Sequence, residues 1–190
     1  MKAKPIHYIV GLPLACDYIP KDPRHQPHSP TVKRIRACVT MMEKLKPGLG
    51  HSFIVCTAGY TKASPLKKPA DNIPELPLCE QMEFCILTNY VQYIPVVSIV
   101  KGWGTESEIR NGIAQAKLHI TPSGKVTLVV STNLVHMLRV IIYVWKYLPK
   151  GWKVKFVCAK HDFSLKSHLR EIPGVFHALF FALTYKILGK

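Results

Sequence analysis

Thr132, Asn133, His136 and Arg139 stand close together in STNLVHMLRV, residues 131–140. A hydroxyl and an amide just ahead of a helical pattern are N-cap residue types, and His136 follows them in the first turn. Free main-chain N–H groups and the positive end of a helix dipole favour an anion at such a place. Arg139 adds a planar fork of donors suited to phosphate or carboxylate. The chemistry open to this set is the holding of negative charge. A plainer reading uses the same residues. At 100° per residue Leu134, Leu138, Ile141, Trp145 and Leu148 share one stripe, while His136, Arg139 and Tyr143 lie opposite it, as on the solvated side of an ordinary amphipathic helix.

Other stretches carry weaker signals. TESE, residues 105–108, fits a capping box in which Thr105 reaches the N3 amide and Glu108 reaches back to the cap. With Gly102 and Gly104 ahead of it, Thr105 also stands where backbone can approach a ligand. Glu80 and Glu83 fall in the first turn or two of a helical pattern, where the dipole stabilises carboxylates in any case. Set across a sheet edge from His136, Glu80 would share acid–base work with it, since imidazole titrates near neutrality and a carboxylate orients it. His25 and His28 have a metal-like gap but no third ligand, so no metal site is expected. There is no P-loop, no HExxH and no serine elbow.

The elements that must position these residues are legible as alternating runs. Apolar, β-branched segments at 6–11, 51–57, 94–100, 125–132 and 152–159 are separated by helical patterns at 31–46, 78–91, 104–118 and 134–148, and a last helix closes the chain from Gly174. Strands alternating with helices predict a parallel sheet covered on both faces: a three-layer, Rossmann-like α/β fold of about five strands, one domain over 1–190. Such a sheet binds ligands at the carboxyl ends of its strands, near a switch point in strand order. That edge collects Gly11, Gly59, Thr105, Thr132, Asn133 and His136. Two proline-rich loops, about 13–30 and 61–77, are long enough to act as lids.

The composition narrows the partners. The 190 residues are 48% hydrophobic, which suits one buried core, and 26 Lys and Arg against 11 Asp and Glu leave a net charge of +15. That excess favours an anionic partner: a phosphate-bearing small molecule first, nucleic acid or an acidic membrane surface as rivals. No RGG tract, zinc-finger spacing or RNP-like strand accompanies the charge, which lowers nucleic acid in rank. The six cysteines form no CxxC pair and several sit inside apolar runs, which fits a reduced, cytoplasmic setting. The start, MKAKPIHYIVGLPLACDY, looks faintly like a lipoprotein leader, but a first strand explains it better. No run approaches the roughly 20 apolar residues that span a bilayer. GVFHALFFALTYKILG comes nearest, broken by His177 and Lys186, and peripheral membrane contact through that helix stays open.

Taken together, a first strand ending in Gly11, a first helix bearing Arg34, VCTAGY with Gly59, CEQM with Glu80, GTESE, and above all STNLVHMLRV resemble the SanA/YdcF/ElyC-type family. That family is marked by a Thr-Ser-x-x-His-x-x-Arg run at a strand end; here Thr132, His136 and Arg139 match and Asn133 stands where Ser is usual. The resemblance implies a Rossmann-like domain of largely undefined chemistry, with S-adenosylmethionine as one cofactor it brings into view. An acidic residue after the second strand would support that cofactor, and Lys62 stands there instead. The expected function is therefore binding of a small anionic or nucleotide-like ligand. Thr132, Asn133 and Arg139 would hold the anion, Gly11, Gly59 and Thr105 would line the pocket, and His136 with Glu80 would serve any hydrolysis or transfer of a phosphate-bearing group.

Overall fold

A computed structural model describes residues 6–15, 29–45, 51–58, 77–90, 94–100, 104–160, 169 and 172–180. Five strands, β1 (His7–Pro13), β2 (Ser52–Thr57), β3 (Val96–Ile99), β4 (Lys125–Asn133) and β5 (Lys153–Ala159), form one sheet in the order β3-β2-β1-β4-β5. Every pairing is parallel. The helices are α1 (Ser29–Lys44), α2 (Leu78–Asn89), α3 (Thr105–Leu118) and α4 (Leu134–Tyr147), followed by α5 over residues 172–180. The expected three-layer, Rossmann-like α/β fold is what the chain adopts.

The central strands are buried almost throughout because helices cover both of their faces, which is why they read as continuous apolar runs. Side chains alternate between the two layers. Val10, Leu12, Val55, Leu128 and Val130 pack with Ile109 and Ile113 of α3, Val140 and Val144 of α4, and Ala178 of α5. Ile9, Ile54, Cys56 and Val129 pack on the other side with Ile35, Val39 and Met42 of α1 and Met82 and Ile86 of α2. The chain thus runs β1-α1-β2-α2-β3 over one face, then crosses to the other for α3 and α4. The change of direction falls between β1 and β4, whose pairing runs from His7 opposite Lys125 to Pro13 opposite Ser131.

Helix α4 departs from its sequence pattern. Leu134, Leu138 and Trp145 are 71%, 55% and 69% exposed, whereas Val140, Tyr143 and Val144 are buried. The stripe of leucines faces solvent and the side with Tyr143 faces the protein, the reverse of a solvated polar face. The cause is tertiary: α4 packs against α3 and α5 with its Val140, Tyr143 and Val144 side, so neighbours decide which face is covered.

Candidate functional site

The β1/β4 switch point is framed by the ends of both strands and the starts of α3 and α4. Ser131 and Asn133 point toward α1, as their bonds to Arg34 demonstrate, and Thr132 between them points to the α3/α4 layer.

On the α1 side the polar groups satisfy one another. The buried Arg34 donates from Nη1 to the carbonyl of Leu14 at 3.1 Å and to that of Ala15 at 2.5 Å. With the Asn133 amide oriented so that its oxygen meets the guanidinium, that oxygen accepts from Arg34 Nη2 at 2.9 Å and Nε at 3.3 Å. Ser131 Oγ donates to the Arg34 carbonyl at 2.7 Å, and the Leu14 amide donates to the Ser131 carbonyl at 3.1 Å. A fixed guanidinium inside the fold therefore ties the chain leaving β1 to the end of β4. Charge-assisted bonds of this kind are about twice as strong as neutral ones, so they fasten the two strand ends together.

On the opposite side the set is less complete. Thr132 is fully buried, and its hydroxyl meets no hydrogen-bond partner among the described residues. A buried hydroxyl left without a partner costs about 1–3 kcal/mol, so the position calls for an explanation. Beside it α4 begins with no side-chain cap: Asn133, at the N-cap position, is turned to Arg34 instead. The first N–H groups of α4 therefore receive no acceptor from the N-cap side chain. His136, in that first turn, has Nδ1 3.2 Å from Arg139 Nη2. A guanidinium only donates, so Nδ1 accepts, which places the imidazole proton on Nε2 as a donor.

Arg139 is held at the α4/α5 junction: a Cβ added to Gly174 of α5 would come within 2.8 Å of Arg139 Nη1. A side chain at position 174 would require the end of Arg139 to shift. One turn on, Tyr143 OH lies 3.4 Å from His177 Nδ1 of α5.

Helix α3 closes the third side. Thr57 Oγ1 donates to the Glu108 carbonyl at 2.9 Å, and the Ala15 amide donates to Glu108 Oε2 at 3.2 Å. The expected capping box does not form. The N-cap is Gly104, at φ +83°, without a side-chain cap bond, and the Glu108 carboxylate reaches the loop after β1 rather than back to its own helix start. Thr105 is the first residue of the helix and half-buried. At the outer side of this turn Glu106 accepts from Lys146 Nζ at 3.0 Å and from the Tyr147 hydroxyl. Burial works against its charge, but these two bonds outweigh it and hold the carboxylate below its ordinary pKa, with Lys146 held above its own.

Other expected site residues lie elsewhere. Gly11 is inside β1, not at its end, and the space a side chain would fill is taken by α1: an added Cβ would stand 2.5 Å from Met42 Sδ and 3.0 Å from Cys38 Sγ. Its role is close packing, a correction to its reading as a ligand contact. Glu80 sits in the first turn of α2, in the layer opposite α4, so the anticipated pairing with His136 is not formed; His136 is bonded to Arg139 instead. Gly59, His25, His28, Lys62 and most of both proline-rich loops lie outside the described residues.

Sequence reasoning named Arg34 and Glu108 only as motif residues and gave Ser131 no role. Arg34, between Thr31 and Cys38 on one side of the helix pattern, carried the one available signal. Burial pushes the thiols of Cys38 up to about 12 and Cys79 to about 11, and raises Cys56 well above its ordinary value, which favours the protonated form of each. Among the described residues no group of three or more His, Cys, Asp or Glu gathers to hold a metal, and no helix is long and apolar enough to cross a membrane. Comparison of the chain with protein-family models, with curated proteins and with solved structures gave no match.

Proposed function

We propose that the β1/β4 switch point binds a small anionic or nucleotide-like ligand, with its phosphate at the start of α4. The observation that carries this reading is the fully buried Thr132 hydroxyl, without a partner among the described residues, next to a helix start without a side-chain cap. A phosphate oxygen there would complete the hydroxyl's bonding and accept from the open N–H groups. His136 would contribute Nε2–H, and Arg139 acts through it by fixing the tautomer. Glu108 and Arg34 hold the surrounding chain in place, which lowers the ordering cost of binding.

The arrangement supports binding better than catalysis. A His136 that donates from Nε2 is suited to hold an anion, and Glu80 belongs to the other layer, so hydrolysis or transfer of a phosphate-bearing group would rest on His136 without that carboxylate. The resemblance to the SanA/YdcF/ElyC-type family points to the same strand end. The test is calorimetric titration of the whole chain with inorganic phosphate and with a nucleoside diphosphate, S-adenosylmethionine serving as the third titrant. Thr132→Val, which keeps shape and removes the hydroxyl, and Arg139→Ala should each weaken phosphate or nucleotide binding at least about tenfold, the worth of one charged hydrogen bond. Equal affinity in wild type and both variants, or no binding of either phosphate compound, would end the proposal.

A further inference from the structure

Strand alternation gathers lysines on one face of the β5 edge of the sheet. Val154 and Phe156 pack in the α3/α4 layer, so Lys153, Lys155 and Val157 point to the layer of α1, where Val157 meets the core. The register agrees: Lys153 stands beside Thr127 and Lys155 beside Val129, and Val129 packs under α1. Lys125, two residues before Thr127 in β4, points the same way, one row nearer the amino ends of the strands. Helix α1 adds to this row. It lies against β1, β4 and β5, with Cys38 at the Val129 carbonyl of β4 and Met42 against Gly11 of β1. At 100° per residue Lys33 and Lys44 fall on the shoulder opposite Met42, which is the β5 side. All five lysines are exposed, as is Lys160 just past β5, and none of them is ion-paired among the described residues.

The charges of the molecule are therefore segregated. The carboxylates of the described residues, Glu43, Glu80, Glu83, Glu106 and Glu108, sit on α1, α2 and α3, and β4 and β5 carry none. A one-signed face raises the local concentration of polyanions. What the face lacks decides among them. None of the exposed large hydrophobic residues belongs to α1, β4 or β5, so nothing here enters the acyl boundary of a bilayer. No aromatic ring stands on α1 or on the α1-facing positions of β4 and β5, so unpaired bases find nothing to stack on. What is present is a row of ammonium groups, with Lys153 and Lys155 about 7 Å apart along the strand, a separation that neighbouring phosphates of one strand can match. Such a row grips the backbone of a double helix and leaves its bases unread.

We propose that this face binds the phosphate backbone of double-stranded nucleic acid, apart from the anion site at Thr132. The experiment is fluorescence anisotropy of labelled DNA and RNA duplexes of mixed sequence, about two helical turns long, titrated with the full chain between about 50 and 200 mM salt. Wild type should bind at least one of the two duplexes, with little dependence on sequence and less tightly as salt rises. Lys153→Gln with Lys155→Gln should weaken that binding at least about tenfold and lower the salt slope by about 2. Arg110→Gln with Lys117→Gln removes the same charge from exposed positions of α3, in the other layer, and should leave affinity within about twofold, since charges beyond the Debye length are screened. A circular dichroism spectrum and urea midpoint like those of wild type certify the fold of each variant. Should the β5 pair aggregate, Lys44→Gln with Lys125→Gln carries the test with the same expected loss. No binding of either duplex by wild type, or equal losses in the β5 and α3 pairs, overturns the proposal. So does tighter binding to phosphatidylserine vesicles than to either duplex, lost in the same β5 pair, since the face would then belong to a membrane.

Discussion

Helices α1 and α4 leave the same edge of the sheet from neighbouring strands, yet they meet different surroundings. α1 lies against β1, β4 and β5 with α2 beside it, and its Ile35, Val39 and Met42 disappear into that layer. α4 touches the sheet less, leans on α3 and α5, and shows Leu134, Leu138 and Trp145 to solvent. The polar groups differ in the same way. Around α1, Arg34, Ser131 and Asn133 satisfy one another, whereas at the start of α4 the Thr132 hydroxyl meets no partner among the described residues. One junction is bonded internally, and the other is where the proposed ligand would sit. The internally bonded groups and the proposed anion site therefore lie on opposite sides of one strand end, separated by the alternation of β4.

The largest expected effect that tests this contrast lies on the α1 side. Ile35→Ala should cost about 2–5 kcal/mol in urea unfolding, because a fully buried methyl-rich side chain leaves a cavity the close-packed layer cannot fill. A loss below about 1 kcal/mol would mean that α1 is not the rigid partner. A middle-sized effect is expected where α4 meets α3. Glu106→Gln should lower stability by about 1 kcal/mol near neutral pH, since it removes the charge that Lys146 and Tyr147 hold. The folded carboxyl titrates below its ordinary value, so its contribution is complete above the ordinary carboxylate range and disappears as pH falls through the lowered value. Unfolding curves of wild type and variant should accordingly converge in acid; a gap that persists there assigns the effect to packing. The smallest effect belongs to the exposed stripe. Leu138→Ala should change stability by less than about 0.5 kcal/mol, and a larger loss would place that face under cover.

The strands and the order of elements were legible because a parallel sheet covered on both faces needs uninterrupted β-branched runs, and few other structures do. The position of Thr132 at a strand end was legible for the same reason. What the sequence could not convey was direction. Periodicity says which residues of 134–148 share a face, not which face the rest of the molecule covers, and α5 settled that from a distance in sequence. Likewise TESE satisfies a local capping rule, but the Ala15 amide offered Glu108 a partner that no local rule contains. Arg34 and Gly11 were noticed as motif residues and misjudged or left aside, because only packing against Leu14, Ala15 and Met42 reveals what they do.

The seam between β1 and β4 has a further consequence for how the molecule comes into being. His7 Nε2 and Thr127 Oγ1 lie 2.9 Å apart across it, although 120 positions separate them along the chain. Contacts so distant in sequence are slow to form, since the loop entropy must be overcome before any pairing rewards it. The middle of the sheet cannot close on the ribosome until the fourth strand emerges, and truncated products ending before it would hold β1 paired on its β2 side alone. Nascent chains of this protein should therefore present bare strand edges late into synthesis, and chaperone demand should drop abruptly once residue 133 has cleared the exit tunnel.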